Sequence, residues 1–332
     1  MFTRWRTQIS GYPAQFWLMF WGMLMSTVGA SMIWPFLMIY VSSRLARPLG
    51  QVASLMTLNS LMGLGAAFLA GPLTDRLGRK WVMALSLIGN GMVYLLMGQA
   101  EVLWHFALLM SLWGFFGPMY RVGGDAMLAD LVPPERRADA YALLRMSNNV
   151  GVAVGPAVGG FLAATSYGIA FTIAAIGLSG YGLLLAFFAH ETLPQEARNA
   201  PHEPPWKAYR GVFRDGRFLR FVALFVTAQM CAVLIWVLMG VYAKTQYGVP
   251  ENRFGLIATT NATMVVLFQF AVTLRTKRHA PLRMMALGTL LYALGVGSVA
   301  LARGFWGFWL SMVVYTVGEM ILIPTASTYA AN

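Results

Sequence analysis

Gly71-Pro-Leu-Thr-Asp75-Arg76-Leu-Gly78-Arg79-Lys80 sits between two apolar runs, 51–70 and 81–99, and carries charges of both signs in a short stretch. Each flanking run is about the ~20 residues that a helix needs to cross a hydrocarbon core of ~30 Å. The segment therefore reads as a tight loop at a membrane surface between two spanning helices. Gly71 and Gly78 permit close backbone approach and a sharp turn, while Asp75 can face a helix N-terminus or a basic partner. Such groups can latch two helical bundles in one state and release them in another. A plain loop carrying the charge that sets membrane orientation is the equally open reading.

The same pattern extends along the chain. Its 332 residues are 58% hydrophobic and 11% charged, against about 45–50% and 25% for a soluble domain. So few charges could not cover a core containing 22 Met, 21 Phe and 11 Trp, which excludes a soluble enzyme or a disordered chain. Apolar runs of spanning length lie near 16–41, 51–70, 81–99, 102–127, 138–165, 168–189, 218–243, 254–274, 282–302 and 306–330. Ser166-Tyr167-Gly168 supplies the turn that divides two of them. The first run is too long for a signal-peptide core and is expected to remain as a helix.

Placing the N-terminus in the cytoplasm puts seventeen of the 24 Lys and Arg inside and five outside, as the positive-inside rule requires. The net charge of +12 then reports topology and contact with anionic headgroups, with no nucleic-acid partner expected. The Pro-rich polar stretch His190–Arg217 reads as a cytoplasmic linker, so the expected organisation is an N-terminal six-helix bundle at 1–189, a linker at 190–217 and a second bundle at 218–332. Within the linker, Trp206–Arg217 suits either a short amphipathic surface helix or a simple tether.

An offset of about 201 residues aligns 71–83 with 272–284: Leu73 meets Leu274, Arg76 meets Lys277, and Met83 meets Met284. Asp75 and Gly78 become Thr276 and His279. Each segment joins the second and third helices of its half, as in parallel repeats about an axis along the membrane normal. On that repeat the second half has four helices where the first has six, so about 60 residues and two helices are expected to be absent, a genuine ten-helix chain being the alternative.

Two further segments stand out. Gly151-Val-Ala-Val-Gly155-Pro156-Ala-Val-Gly159-Gly160 places Gly151, Gly155 and Gly159 on one smooth helical face for close packing, and Pro156 favours a kink. Asp130-Leu-Val-Pro-Pro-Glu135-Arg136-Arg137 forms a charged connection before it. Among ionisable residues inside the runs, Arg121 and Asp125 are spaced to face one another, as a structural pair or a substrate- or proton-linked one. Arg145 lies inside the fifth run, with snorkelling to the headgroups as its plainer reading. Glu319 lies near the middle of the last run without a local basic partner, and burial should raise its pKa toward neutrality. A permanently protonated structural acid is the alternative.

The segment 71–80 resembles the signature between the second and third helices of the major facilitator superfamily, with Thr74 where Ala or Ser is usual. The 151–160 segment resembles the fifth-helix motif of that family's drug/proton antiporter branch, and 130–137 resembles the fourth-to-fifth loop of its multidrug-efflux-like members. The resemblance implies an all-α polytopic transporter of twelve-helix architecture, ten helices being present. It further implies alternating access, a switch formed by Gly71, Asp75, Arg76, Gly78, Arg79, Lys80, Asp130 and Arg145, and pairing of Arg79 with Asp130. The fifth-helix motif is implied to lie between the two halves, with its partner helix in the absent part.

The expected function is proton-coupled export of small lipophilic compounds by a monomeric protein of the cell (inner) membrane. Glu319 is the first candidate for the coupling carboxylate and Asp125 the second, with Arg121 beside it. Uptake or export of a sugar, organic anion or metabolite, or a non-transporting receptor or scaffold, are the alternatives. No enzymatic activity is expected, since no nucleophile–base pair stands out at bilayer depth. No cofactor is expected beyond the proton gradient: there is no phosphate-binding G-x-x-x-x-G-K-[ST] loop. His105, His190, His202 and His279 are scattered, and Cys231 is the single cysteine, so no metal site is expected.

Overall fold

The computed structural model describes residues 11–47, 49–194 and 214–331. Arg4, Arg6 and most of the linker, including 206–213 of the segment considered for a surface helix, lie outside the described residues. The described residues form eleven α-helices and no strand. They are α1 (Ala14–Ile33), α2 (Leu37–Leu45), α3 (Leu49–Leu77), α4 (Arg79–Met97), α5 (Leu103–Leu131) and α6 (Pro134–Thr165), followed by α7 (Tyr167–Phe188), α8 (Gly216–Tyr247), α9 (Glu251–Thr276), α10 (Pro281–Ser298) and α11 (Gly304–Ala331). Six stretches are long and apolar enough to cross a membrane, with α1 and α2 counted together as one. Each apolar run of the sequence is occupied by helix, and the first is broken at Trp34–Phe36, where a single 3-10 turn forms around Pro35.

The charged segment at 71–80 is not the loop its composition suggests. Helix α3 continues through Asp75 and Arg76 to Leu77, and α4 begins at Arg79, leaving Gly78 as the entire connection. A one-residue reversal needs a backbone that L side chains avoid, and Gly78 has φ +94°. In the second copy the equivalent residue is His279, and four residues, 277–280, make the corresponding turn between α9 and α10. Gly71 was expected to allow close approach, but a Cβ there would meet nothing within 4 Å.

Two compact units are formed. The first comprises Met1–Ala30, Gly50–Gly151 and Gly168–His202; the second comprises Ser31–Leu49, Val152–Tyr167 and Glu203–Asn332. The division passes through α1 and α6, so residues 31–49 and 152–167 group with α8–α11 instead of with their sequence neighbours. Within each unit helices meet through small residues, since in lipid, close van der Waals packing replaces hydrophobic burial as the associating force. Bulky apolar side chains point outward instead: Phe187 is 77% exposed and Leu301 84%. Cys231 is exposed on α8.

Candidate functional site

In the first unit the α3–α4 turn is clamped by two acids. Arg79 forms an ion pair with Asp130 near the end of α5. Glu191, just after α7, accepts hydrogen bonds from the backbone N–H of Arg79 (3.0 Å) and Lys80 (3.2 Å), and also from Thr192 and Leu193 (3.0 Å each). The first turn of α4 has unpaired N–H groups and the positive end of the helix dipole, so a carboxylate is the fitting cap. A Cβ on Gly78 would lie 2.2 Å from Glu191 Oε2. Sequence reasoning missed Glu191, whose only signal was an acid directly after an apolar run. Lys80 lies 5.0 Å from the Trp81 ring centroid, Arg76 is exposed, and Asp75 is half-buried. Thr74 is buried with a hydroxyl that finds no hydrogen-bond partner among the described residues. Arg145 is exposed on α6 and is not joined to the Arg79–Asp130 pair by a hydrogen bond or ion pair.

Gly78→Ala should therefore lower stability by two routes, left-handed strain and the clash with Glu191, together about 1–3 kcal/mol. The check is the thermal midpoint of the purified variant; an unchanged midpoint would mean that the turn is not strained.

Also in the first unit, Arg121 and Asp125 on α5 border a cavity of about 60 Å³ with Met19, Met23, Tyr120, Leu144 and Tyr181. The Asp125 carboxylate lies in the field of Arg121, and its backbone carbonyl accepts from the Tyr141 hydroxyl at 3.0 Å.

The second unit holds Glu319 in a network from four helices. Asn261 on α9 donates through Nδ2 to Glu319 Oε2 at 2.7 Å and to Thr316 Oγ1 at 3.0 Å. Asn261 and Thr316 are buried, and the Thr316 hydroxyl donates to the Met312 carbonyl at 2.7 Å. One helical turn away, Tyr315 accepts from Trp236 Nε1 on α8 at 3.2 Å and stacks on Tyr292 of α10, with ring centroids 4.7 Å apart and planes 4° from parallel. Both phenols lie in the field of Glu319. Gln269 of α9 donates to the Met320 carbonyl at 3.0 Å, adding a second tie between α9 and α11. The sequence singled out Glu319 but none of these partners.

The fifth-helix motif finds partners within the chain. In the first unit, Gly151 packs against Thr27 and Val28 of α1. In the second, a Cβ on Gly159 would lie 2.2 Å from the Met32 carbonyl oxygen, one on Gly160 would lie 2.7 Å from the Glu251 carbonyl oxygen, and one on Gly255 of α9 would lie 2.3 Å from that of Pro156. Gly155 is buried. The expectation that the partner helix lies in an absent part is thus corrected: the motif packs on α1 and α9. The helix also continues through Pro156 to Thr165.

Beside this packing, Glu251 in the first turn of α9 is paired with Lys244 of α8 and accepts from the Tyr167 hydroxyl at 2.9 Å. Burial pushes the Glu251 carboxyl up, but the hydrogen bonds from Lys244, its own backbone and Tyr167, with the Lys244 charge, outweigh it and hold the group below its ordinary value. Nothing in the sequence marked this cluster, whose members lie in three separate helices. Among the described residues no cluster of His, Cys, Asp and Glu could hold a metal ion.

Eleven helices among the described residues, with bulky apolar side chains turned outward, describe an integral membrane protein. The chain belongs to the Major Facilitator Superfamily, whose family model matches residues 19–332. A Na(+), Li(+), K(+)/H(+) antiporter of Planococcus maritimus is 24% identical over 91% of this chain and 78% of its own length. The class C tetracycline resistance protein of Escherichia coli is 30% identical over 80% of this chain and 67% of its own. The E. coli multidrug resistance protein MdtH is 22% identical over 93% and 76%. Among solved structures, the nucleoside transporter NupG superposes with a TM-score of 0.74 over 95% of this chain and 82% of its own at 14% identity, which shows the shared fold.

Proposed function

We propose that the protein is a proton-coupled exporter of small lipophilic compounds that works by alternating access, with the N-terminus and linker cytoplasmic. The observation that carries the reading is Glu319, a carboxylate near the middle of α11 that accepts a hydrogen bond from the buried amide of Asn261. Taking up a proton changes the charge of that site by one unit in a low-dielectric setting, where the cost of an ionised group is greatest. A protonation-dependent difference in stability between inward- and outward-facing states is what couples a gradient to transport. Relatives named antiporter and drug or multidrug resistance protein support this choice over sugar or metabolite uptake, and over a receptor built on the same fold. The Arg79–Asp130–Glu191 clamp serves as the cytoplasmic switch, ten helices span the membrane, and the Arg121–Asp125 cavity borders the transport path. The protein acts as a monomer in the cell membrane, with lipid, protons and the transported compound as its partners.

The test is proton movement in proteoliposomes holding a pH-sensitive dye, challenged with lipophilic cations beside sugars and organic anions. Proton release from the lumen on addition of a lipophilic compound is the expected result. A response confined to sugars or anions would replace the cargo, and silence across the panel with insertion verified would overturn the exporter reading.

A further inference from the structure

We propose that the exported compound carries an acidic group, a carboxylate or sulfonate on an apolar body, and that Arg121 and Arg145 hold that group on an exposed face of the first unit. The premise is the reading of the Arg121–Asp125 cavity as a border of the transport path; the charge of the cargo is the step beyond it.

The register of two helices sets the geometry. The Tyr141 hydroxyl of α6 donates to the Asp125 carbonyl of α5 at 3.0 Å, and the two helices run in opposite directions from the short connection between Leu131 and Pro134. One turn further from that connection, α5 presents Arg121 and α6 presents Arg145. The two arginines therefore stand at one level, roughly 15 Å along the helix axes from the connection at ~1.5 Å per residue. Both are exposed, as are Asp125 and Tyr141. Leu144, the neighbour of Arg145, lines the same cavity as Arg121 and Asp125, which brings the two helices to one site. A guanidinium that far along a spanning helix stands toward water or a bound ligand and not toward lipid.

Charge on this face selects the ligand. Both guanidiniums stay protonated whatever their surroundings. The Asp125 carboxylate lies in the field of Arg121, and Asp130, the next acid along α5, is taken by Arg79. Among the described residues the Arg145 side chain forms no ion pair or hydrogen bond. Two guanidiniums and one carboxylate leave one positive charge, which one acidic group on the ligand completes, and the planar fork of arginine accepts such a group bidentately. A cationic ligand would bring a third positive charge to a single carboxylate. The adjoining cavity of about 60 Å³ is walled by Met19, Met23, Leu144 and the edge-to-face pair Tyr120 and Tyr181, whose ring centroids are 6.1 Å apart. Its apolar and aromatic wall suits a substituent of the cargo, whereas a whole drug-sized compound needs several hundred Å³.

The test reads binding apart from transport. The purified full chain in maltoside micelles is titrated calorimetrically with 2-naphthoate, 2-naphthylmethylammonium and 2-naphthylmethanol, one ring system bearing negative, positive and no charge, with protein-free micelles as the blank. Naphthoate should bind about tenfold more tightly than either of the others. Arg121→Gln and Arg145→Gln should each remove that preference and keep the affinity for naphthylmethanol; Arg145→Lys should restore part of it, since an ammonium keeps the charge without the fork. Asp125→Asn should tighten naphthoate several-fold by releasing Arg121. Arg278→Gln, which takes the same charge from an exposed turn, controls for the positive charge of the whole chain and should change nothing. Equal affinities for the three probes in the wild-type protein, or an anion preference that survives Arg145→Gln, overturn the site. Anion preference with no proton movement in proteoliposomes given naphthoate or any other compound overturns the exporter reading and keeps the anion site. Proton movement driven by naphthylmethylammonium and not by naphthoate overturns the acidic cargo and keeps the exporter. The wild-type comparison of three probes decides the matter even where an arginine variant fails to fold.

Discussion

Glu319→Gln should reduce substrate-driven proton movement to the rate of protein-free liposomes while leaving the protein folded. The amide has nearly the volume of the carboxyl, and its carbonyl oxygen can still accept from Asn261 Nδ2, the bond seen at 2.7 Å. What is lost is the ability to take up and release a proton, so the expected loss is of coupling and not of structure. The change in stability should be confined to the difference between a charged and a neutral hydrogen bond, about 1 kcal/mol. Thermal midpoint and lumenal pH are measured on the same preparation. Asp125→Asn is the companion: on the reading that Glu319 carries the coupling proton, its replacement should leave proton coupling in place. Retained coupling in Glu319→Gln with loss in Asp125→Asn would move the titrating site to α5.

Particular residues show how much of this was legible in the sequence. Length and hydropathy are local properties, so each apolar run located its helix, and Ser166 marked the turn between α6 and α7. The charged segment at 71–80 misled because charge and glycine imitate a loop, whereas charged residues at a membrane surface fit equally well in the last turn of α3. The four-residue spacing of Gly151, Gly155 and Gly159 announced a packing face, and the face is used. What it packs on could not be read, because contacts between α6 and α9 join residues about a hundred positions apart. The same holds for Glu191, for Asn261 beside Glu319, and for Tyr167, Lys244 and Glu251. A partner on another helix leaves no periodic trace at either position. Arg79 with Asp130 was the exception, and it was legible through family resemblance alone.

Gly255→Val should have the largest effect on the second unit, because its obstacle is backbone. A Cβ at Gly255 would come 2.3 Å from the Pro156 carbonyl oxygen and 3.3 Å from the Phe36 ring, and no side-chain rotation relieves the first of these. Helix α9 would have to move away from α6, loosening the Glu251 carbonyl from Gly160 as well. Overpacking of this kind costs about 1–3 kcal/mol even where neighbours can adjust. On the proposed topology these contacts lie at the outer ends of the helices, with the Lys244–Glu251–Tyr167 cluster beside them. On the proposed alternating-access mechanism a state open to the outside separates them, so a substitution that weakens them would favour that state by the free energy the closed contacts lose. Asn252→Cys, placed beside Gly160 in a Cys231→Ser background, reports the separation through its rate of reaction with a membrane-impermeant maleimide. Gly255→Val should raise that rate several-fold and lower the thermal midpoint, and Glu251→Gln should raise it less, since it weakens the ion pair without moving backbone. Gly117→Ala, where a Cβ meets nothing within 4 Å, should do neither. An unchanged labelling rate in Gly255→Val with a lowered midpoint would make the contact structural alone, because a latch must change accessibility when it is weakened.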